Sequence, residues 1–124
     1  MGAYHNERIT VFRSLARIAT ESSQDFVNME GRGLKLTINV TAATDTPSVV
    51  FTVEGKDSVS GEYYTLLTSA AITATGKTVL TIYPGATAAA NVTVNDVLPI
   101  DWRVRATHAD ADSITYSVGV NTIL

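Results

Sequence analysis

Three stretches of the chain carry residue types that could do chemistry. Ala71-Ile72-Thr73-Ala74-Thr75-Gly76-Lys77-Thr78 follows the pattern of a phosphate-binding loop, with Ala71 where that pattern has its first glycine. Such a loop works by opening a helix whose N-terminal amides cradle the anion. Here Val79-Leu80-Thr81-Ile82-Tyr83 follows, a β-branched run that predicts a strand, so a hairpin turn is the better account. His108, Asp110 and Asp112 alternate near a predicted strand end and are candidates for a divalent cation. An EF-hand loop would place glycine at its sixth position, where Thr115 stands. The same side chains suggest a Ser-His-Asp arrangement, but that needs an oxyanion hole from another part of the fold, and no motif supplies one. Glu54, Asp57 and Glu62 are the third set. Two carboxylates roughly 5 to 10 Å apart across a sugar would suit glycoside hydrolysis. Carboxylates beside turn residues are more simply read as solvated.

The rest of the composition narrows the function classes further. There is no cysteine, which removes disulfides and thiolate metal sites from consideration. A net charge of −3 argues against a nucleic-acid surface, and no apolar run approaches the ~20 residues of a membrane helix. The N-terminus lacks the apolar core of a secretory signal, so a soluble protein made in the cytoplasm is expected. On that expectation Asn39-Val40-Thr41 and Asn91-Val92-Thr93 match the glycosylation pattern by chance. No catalytic, cofactor or metal residue is assigned.

The elements that would position these groups read as strands. Leu34, Leu36, Ile38 and Val40 alternate with Lys35, Thr37, Asn39 and Thr41, the clearest half-buried strand in the chain. Residues 48–54 and 62–69 predict a strand pair joined through Asp57-Ser58-Val59-Ser60-Gly61, with Gly55 as a bulge. Residues 78–83 form another strand, stopped by Pro84-Gly85, and 25–30 a short edge strand. Residues 86–98 are expected to cross over with one helical turn. The alternating runs 102–108 and 114–120, separated by Ala109-Asp110-Ala111-Asp112-Ser113, predict a β-hairpin with Trp102 and Tyr116 on its inner face. At 124 residues a single domain is expected. Strands recurring every ~8 to 12 residues predict an all-β antiparallel β-sandwich, jelly-roll or immunoglobulin-like.

The first 23 residues fit both a strand and a helix: Ile9, Val11, Arg13 and Leu15 alternate, while Ile9, Phe12, Ala16 and Ala19 share a helical face. Glu21-Ser22-Ser23-Gln24 has a linker's polarity. The expected division is an N-terminal arm over 1–23 and a β-sandwich domain over 24–124. Arg8, Ile9, Val11, Phe12, Arg13, Leu15, Arg17 and Ile18 combine apolar area with guanidinium forks and are the candidate partner-binding residues.

Val53-Glu54-Gly55-Lys56-Asp57, Gly61-Glu62-Tyr63-Tyr64-Thr65-Leu66-Leu67 and Thr75-Gly76-Lys77-Thr78-Val79-Leu80-Thr81-Ile82-Tyr83-Pro84-Gly85 resemble small structural proteins of tailed-bacteriophage particles. Leu98-Pro99-Ile100-Asp101-Trp102-Arg103-Val104 and Asp110-Ala111-Asp112-Ser113-Ile114-Thr115-Tyr116-Ser117-Val118-Gly119 extend the likeness, which begins near Gly33 and leaves out the arm. The resemblance implies a non-enzymatic virion protein, a capsid decoration or cement protein. Its expected partners are the major capsid protein and copies of itself, a trimer being one option, with neither nucleic acid nor membrane. A tail-associated adhesin or carbohydrate-binding sandwich is the alternative.

Overall fold

Alternation of buried and more exposed residues runs through 34–40, 49–56, 101–107 and 114–122. The computed structural model describes residues 6–124. The ten strands are β1 (Arg8–Arg17), β2 (Glu21–Ser22), β3 (Phe26–Val27), β4 (Gly33–Ala43), β5 (Val49–Lys56), β6 (Tyr63–Thr68), β7 (Gly76–Ile82), β8 (Thr93–Val94), β9 (Asp101–His108) and β10 (Ile114–Ile123). In β5 the pattern is strict: Val49, Phe51, Val53 and Gly55 are buried, and the residues between them half-buried. A period of two puts one face of each strand inward, and burying a Val, Leu, Ile or Phe side chain stabilises by about 1.5 to 3 kcal/mol.

Two sheets result. The first runs β1-β10-β4-β7-β8, and the second β2-β9-β5-β6 with β3 also on β9. All pairings are antiparallel except the two-residue β7/β8 contact. Leu34, Leu36, Ile38, Leu80, Ile114, Tyr116 and Val118 from the first sheet meet Val49, Phe51, Val53, Trp102, Val104 and Ala106 from the second. Phe51 and Tyr116 join the layers edge to face, their ring centroids 5.0 Å apart at 88°. This is the antiparallel β-sandwich expected from the strand pattern.

Four local expectations are corrected. Residues 102–108 and 114–120 are strands, but β9 pairs with β5 and β10 with β4 and β1, so they face each other across the core and form no hairpin. Residues 86–98 contain no helical turn, only turns and β8. The β5/β6 irregularity lies at Leu66, because Val53 faces Leu67 while Glu54 already faces Thr65. Gly55 serves a different purpose: a Cβ there would come within 2.5 Å of the Tyr64 ring, which lies against the glycine.

The fourth correction concerns the N-terminal segment. Residues 8–17 are a strand, resolving the helix-strand ambiguity, and β1 pairs along β10 from Arg8↔Asn121 to Arg17↔Ile114. The polar stretch read as a linker then crosses to the other layer, where Glu21 and Ser22 pair with Ala106 and Arg105 on β9. A boundary at residue 23 therefore separates nothing from the sandwich among the described residues. Residues 1–5 of the expected arm lie outside them.

Candidate functional site

Each set of chemistry-bearing residues is held by ordinary structural bonds. Gly76, Lys77 and Thr78 lie inside β7, paired with Val40, Asn39 and Ile38, so no helix N-terminus is present for phosphate. His108 Nε2 is 3.1 Å from Tyr116 Oη. Burial lowers the His108 pKa, and burial also pushes Tyr116 up to about 12. Asp110 accepts from the Asp112 amide at 3.1 Å, and Asp112 Oδ2 accepts from the Thr46 amide and hydroxyl at 3.2 Å. The three side chains have separate partners, a core tyrosine for His108 and turn backbone for the two aspartates, and among the described residues no group of three His, Asp or Glu is placed to hold a metal.

The carboxylate set is likewise divided. Glu54 sits opposite Arg103 in the β5/β9 register and accepts from its Nε at 2.7 Å. Asp57 caps its own turn, accepting from Ser60 Oγ at 2.7 Å and the Val59 amide at 3.1 Å. Those bonds, the Ser60 hydroxyl first, hold its carboxyl below the usual range, the opposite of what a general acid requires.

Around Glu54 the outer face of the second sheet forms a network the sequence did not reveal. The Arg103 guanidinium lies 3.4 Å from the centre of the Tyr63 ring. Tyr63 donates to Asp25 Oδ1 at 2.7 Å, and Lys56 Nζ donates to Asp25 Oδ2 at 2.9 Å. The Tyr63 hydroxyl, followed by Lys56, keeps the Asp25 carboxyl below its ordinary value. Asp25 is about 30 residues from one partner and further from the other, so only the cross-sheet register unites them.

The eight candidate partner-binding residues fall into two groups. Phe12 is 6% exposed, with its ring edge-on to Tyr116 at 6.1 Å. Arg17 closes the seam beside it. Its guanidinium donates to the carbonyls of Tyr116 (2.9 Å), Leu15 (3.1 Å) and Arg13 (2.8 Å), pairs with Glu21, and sits 4.6 Å from the Tyr116 ring. Ile9 and Val11 are partly buried against the core. Arg8 and Arg13 are exposed and make no ion pair among the described residues, and Leu15 and Ile18 are 46% and 58% exposed. Leu15 and Ile18 line, with Arg17, Ala19, Thr20 and Glu21, a shallow hollow of about 230 Å³. Among the described residues the outer edge of β1 is joined to no other strand. No protein family, curated protein or solved structure matches the chain.

Proposed function

We propose that the chain is a non-enzymatic virion structural protein, a capsid decoration protein that binds the head shell of a tailed phage and acts in the assembled particle. The observation that carries the reading is the edge of β1, unpaired among the described residues, which presents Arg8 at one end and Arg13, Leu15 and, just past the strand, Ile18 toward the other. A long free strand edge is a template for pairing, and its two register shifts and arginines limit pairing to a partner of matching shape and charge. The resemblance to small phage structural proteins supplies the kind of partner, a major capsid protein, with further copies of the chain alongside.

The reading also accounts for how the candidate chemistry is engaged. The carboxylates and the histidine are tied into turns and cross-strand pairs, which suits a scaffold whose work is holding shape. Mixing the full chain with tailed-phage heads that lack it, then sedimenting the particles, tests the proposal. Wild type should co-sediment, and Arg8→Glu with Arg13→Glu should reduce the bound fraction about tenfold, because like charges at an interface cost several kcal/mol. Equal binding by the double variant would remove β1 as the attachment edge, and no binding by wild type would overturn the decoration role.

A further inference from the structure

The five strands of the first sheet contain no aspartate or glutamate, in a chain with twelve acids and nine Lys and Arg. They contain five of those nine cations: Arg8, Arg13, Arg17, Lys35 and Lys77. Arg17 is taken by Glu21, and the other four have no ion pair among the described residues. The second sheet differs, since Glu54 and Arg103 are bonded to each other and Lys56 to Asp25.

Register places these cations around one patch. Arg8, Asn121, Lys35 and Thr81 form a row across β1, β10, β4 and β7, and Thr10, Gly119, Thr37 and Val79 form the next. A third row runs through Ser117, Asn39 and Lys77, with Arg13 in the bulged part of β1 that faces Ser117. These residues alternate with the buried Leu36, Ile38, Val118 and Val120, so the rows face outward. From strand spacing and rise, Arg8 and Lys35 are ~10 Å apart across the sheet, and the first and third rows ~13 Å apart. At the centre the surface dips. A hollow of about 260 Å³ is lined by Arg8, Ile9, Thr10, Thr37, Gly119, Val120 and Asn121. Gly119 forms its floor, since a Cβ there would meet nothing nearer than the Ile9 carbonyl at 4.0 Å.

We infer that the outer face of the first sheet is a docking surface for an acidic protein surface, one carboxylate entering the hollow over Gly119 beside Arg8 while others meet Arg13, Lys35 and Lys77. Charge complementarity selects the partner. Unpaired cations in strands without an acid, with Glu7 just ahead of Arg8 as the acid nearest in the chain, leave a positive face on a negatively charged chain, which steers an acidic partner to this side. A nucleic acid is less suited: a single strand finds no stacking platform, because both aromatic rings of this sheet, Phe12 and Tyr116, are buried, and a duplex polyanion meets a chain of net charge −3. Val79 is the one large apolar side chain in the three rows, too little for a lipid surface. A second copy meeting this face with its own would oppose like charges. The inference rests on charge placement alone and does not require the virion role.

The test is an amide-resolved NMR titration of the ¹⁵N-labelled full chain with poly-L-glutamate, with duplex DNA and phosphatidylserine vesicles as separate arms. Polyglutamate at low salt should shift the amides of Thr10, Thr37, Asn39, Lys77 and Gly119, and the shifts should fade as salt screens the contact. Lys35→Glu with Lys77→Glu should weaken binding about tenfold without changing the melting temperature, because both side chains are solvent-facing. Gly119→Asp should weaken it as well by placing a carboxylate in the hollow. Shifts centred on Arg103 and Arg105, or none at all at low salt, would overturn the inference. Tighter binding to DNA or to vesicles would overturn the partner class, and self-association of the free chain at low salt that Lys35→Glu with Lys77→Glu abolishes would assign the face to a second copy.

Discussion

The two sheets bury similar inward faces but treat their charges in opposite ways. On the second sheet, Arg103 is stacked on Tyr63 and bonded to Glu54, and Lys56 and Tyr63 share Asp25, so these cations and anions are matched within the layer, while Arg105 has only the Ser22 hydroxyl among the described residues. On the first, Lys35, Lys77, Arg8 and Arg13 stand among threonine, serine and asparagine with no acid in the strands. Matched charges stiffen a surface and leave it neutral. Unmatched charges contribute little to stability and keep a surface available to a partner. The second sheet is thus the self-satisfied layer and the first the layer with binding capacity.

The comparison can be broken most severely at the core both sheets share. Trp102 is fully buried, its ring 4.9 Å from Phe26, so Trp102→Ala should cost about 3 to 5 kcal/mol in urea unfolding. Its Nε1 has no hydrogen-bond partner among the described residues, so Trp102→Phe, which removes that donor, should cost distinctly less. A loss within ~0.5 kcal/mol for the alanine variant would invert the inside-outside assignment of β9. Phe12→Ala comes next, at about 3 kcal/mol, since its ring contributes to the seam from β1. Removing residues 1–20 should therefore unfold the chain rather than release a stable sandwich, which circular dichroism would reveal.

Smaller effects sharpen the contrast between the layers. Arg103→Ala should destabilise by about 1 to 2 kcal/mol, because Glu54 is only 15% exposed and loses its partner. Lys35→Ala and Lys77→Ala should each stay within ~0.5 kcal/mol in the same denaturation experiment. Equal losses on both sheets would erase the distinction. The pH response should be the mildest. Burial holds the folded pKa of His108 below the ordinary histidine value of 6.5, so the unfolded chain binds the proton more readily. Its contribution is present above pH 6.5 and is lost as pH falls through the lower folded pKa, so the melting temperature should decline over that window. His108→Gln should flatten the decline.

The alternation of Leu34, Leu36, Ile38 and Val40, and of Val49, Phe51 and Val53, was readable because a half-buried strand writes its buried face into every second residue. Partner choice was not. Residues 102–108 and 114–120 read as a hairpin because both alternate and a short Asp-rich turn lies between them, yet the same pattern suits two strands that face each other from opposite sheets. The N-terminal stretch misled for a related reason. Phe12 looked like a docking side chain because its burial depends on Tyr116, about a hundred residues away. Arg17 looked free because three of its acceptors are backbone carbonyls, which leave no trace in residue type. The exposure of Arg8 and Arg13 did follow from residue type, whereas that of Leu15 and Ile18 runs against theirs. The absence of acids from β1, β4, β7, β8 and β10 was also present in the sequence, but it acquires meaning only once those strands are known to share a sheet.

Cryo-electron microscopy of the intact virion tests the central claim most directly, because it reports both location and orientation. The account predicts many symmetry-related sandwiches on the head, with β1 and the first sheet toward capsid protein and the Glu54-Arg103-Tyr63 face toward solvent. Density for the chain at the tail alone, or a head-bound sandwich whose second sheet meets the shell, would contradict it.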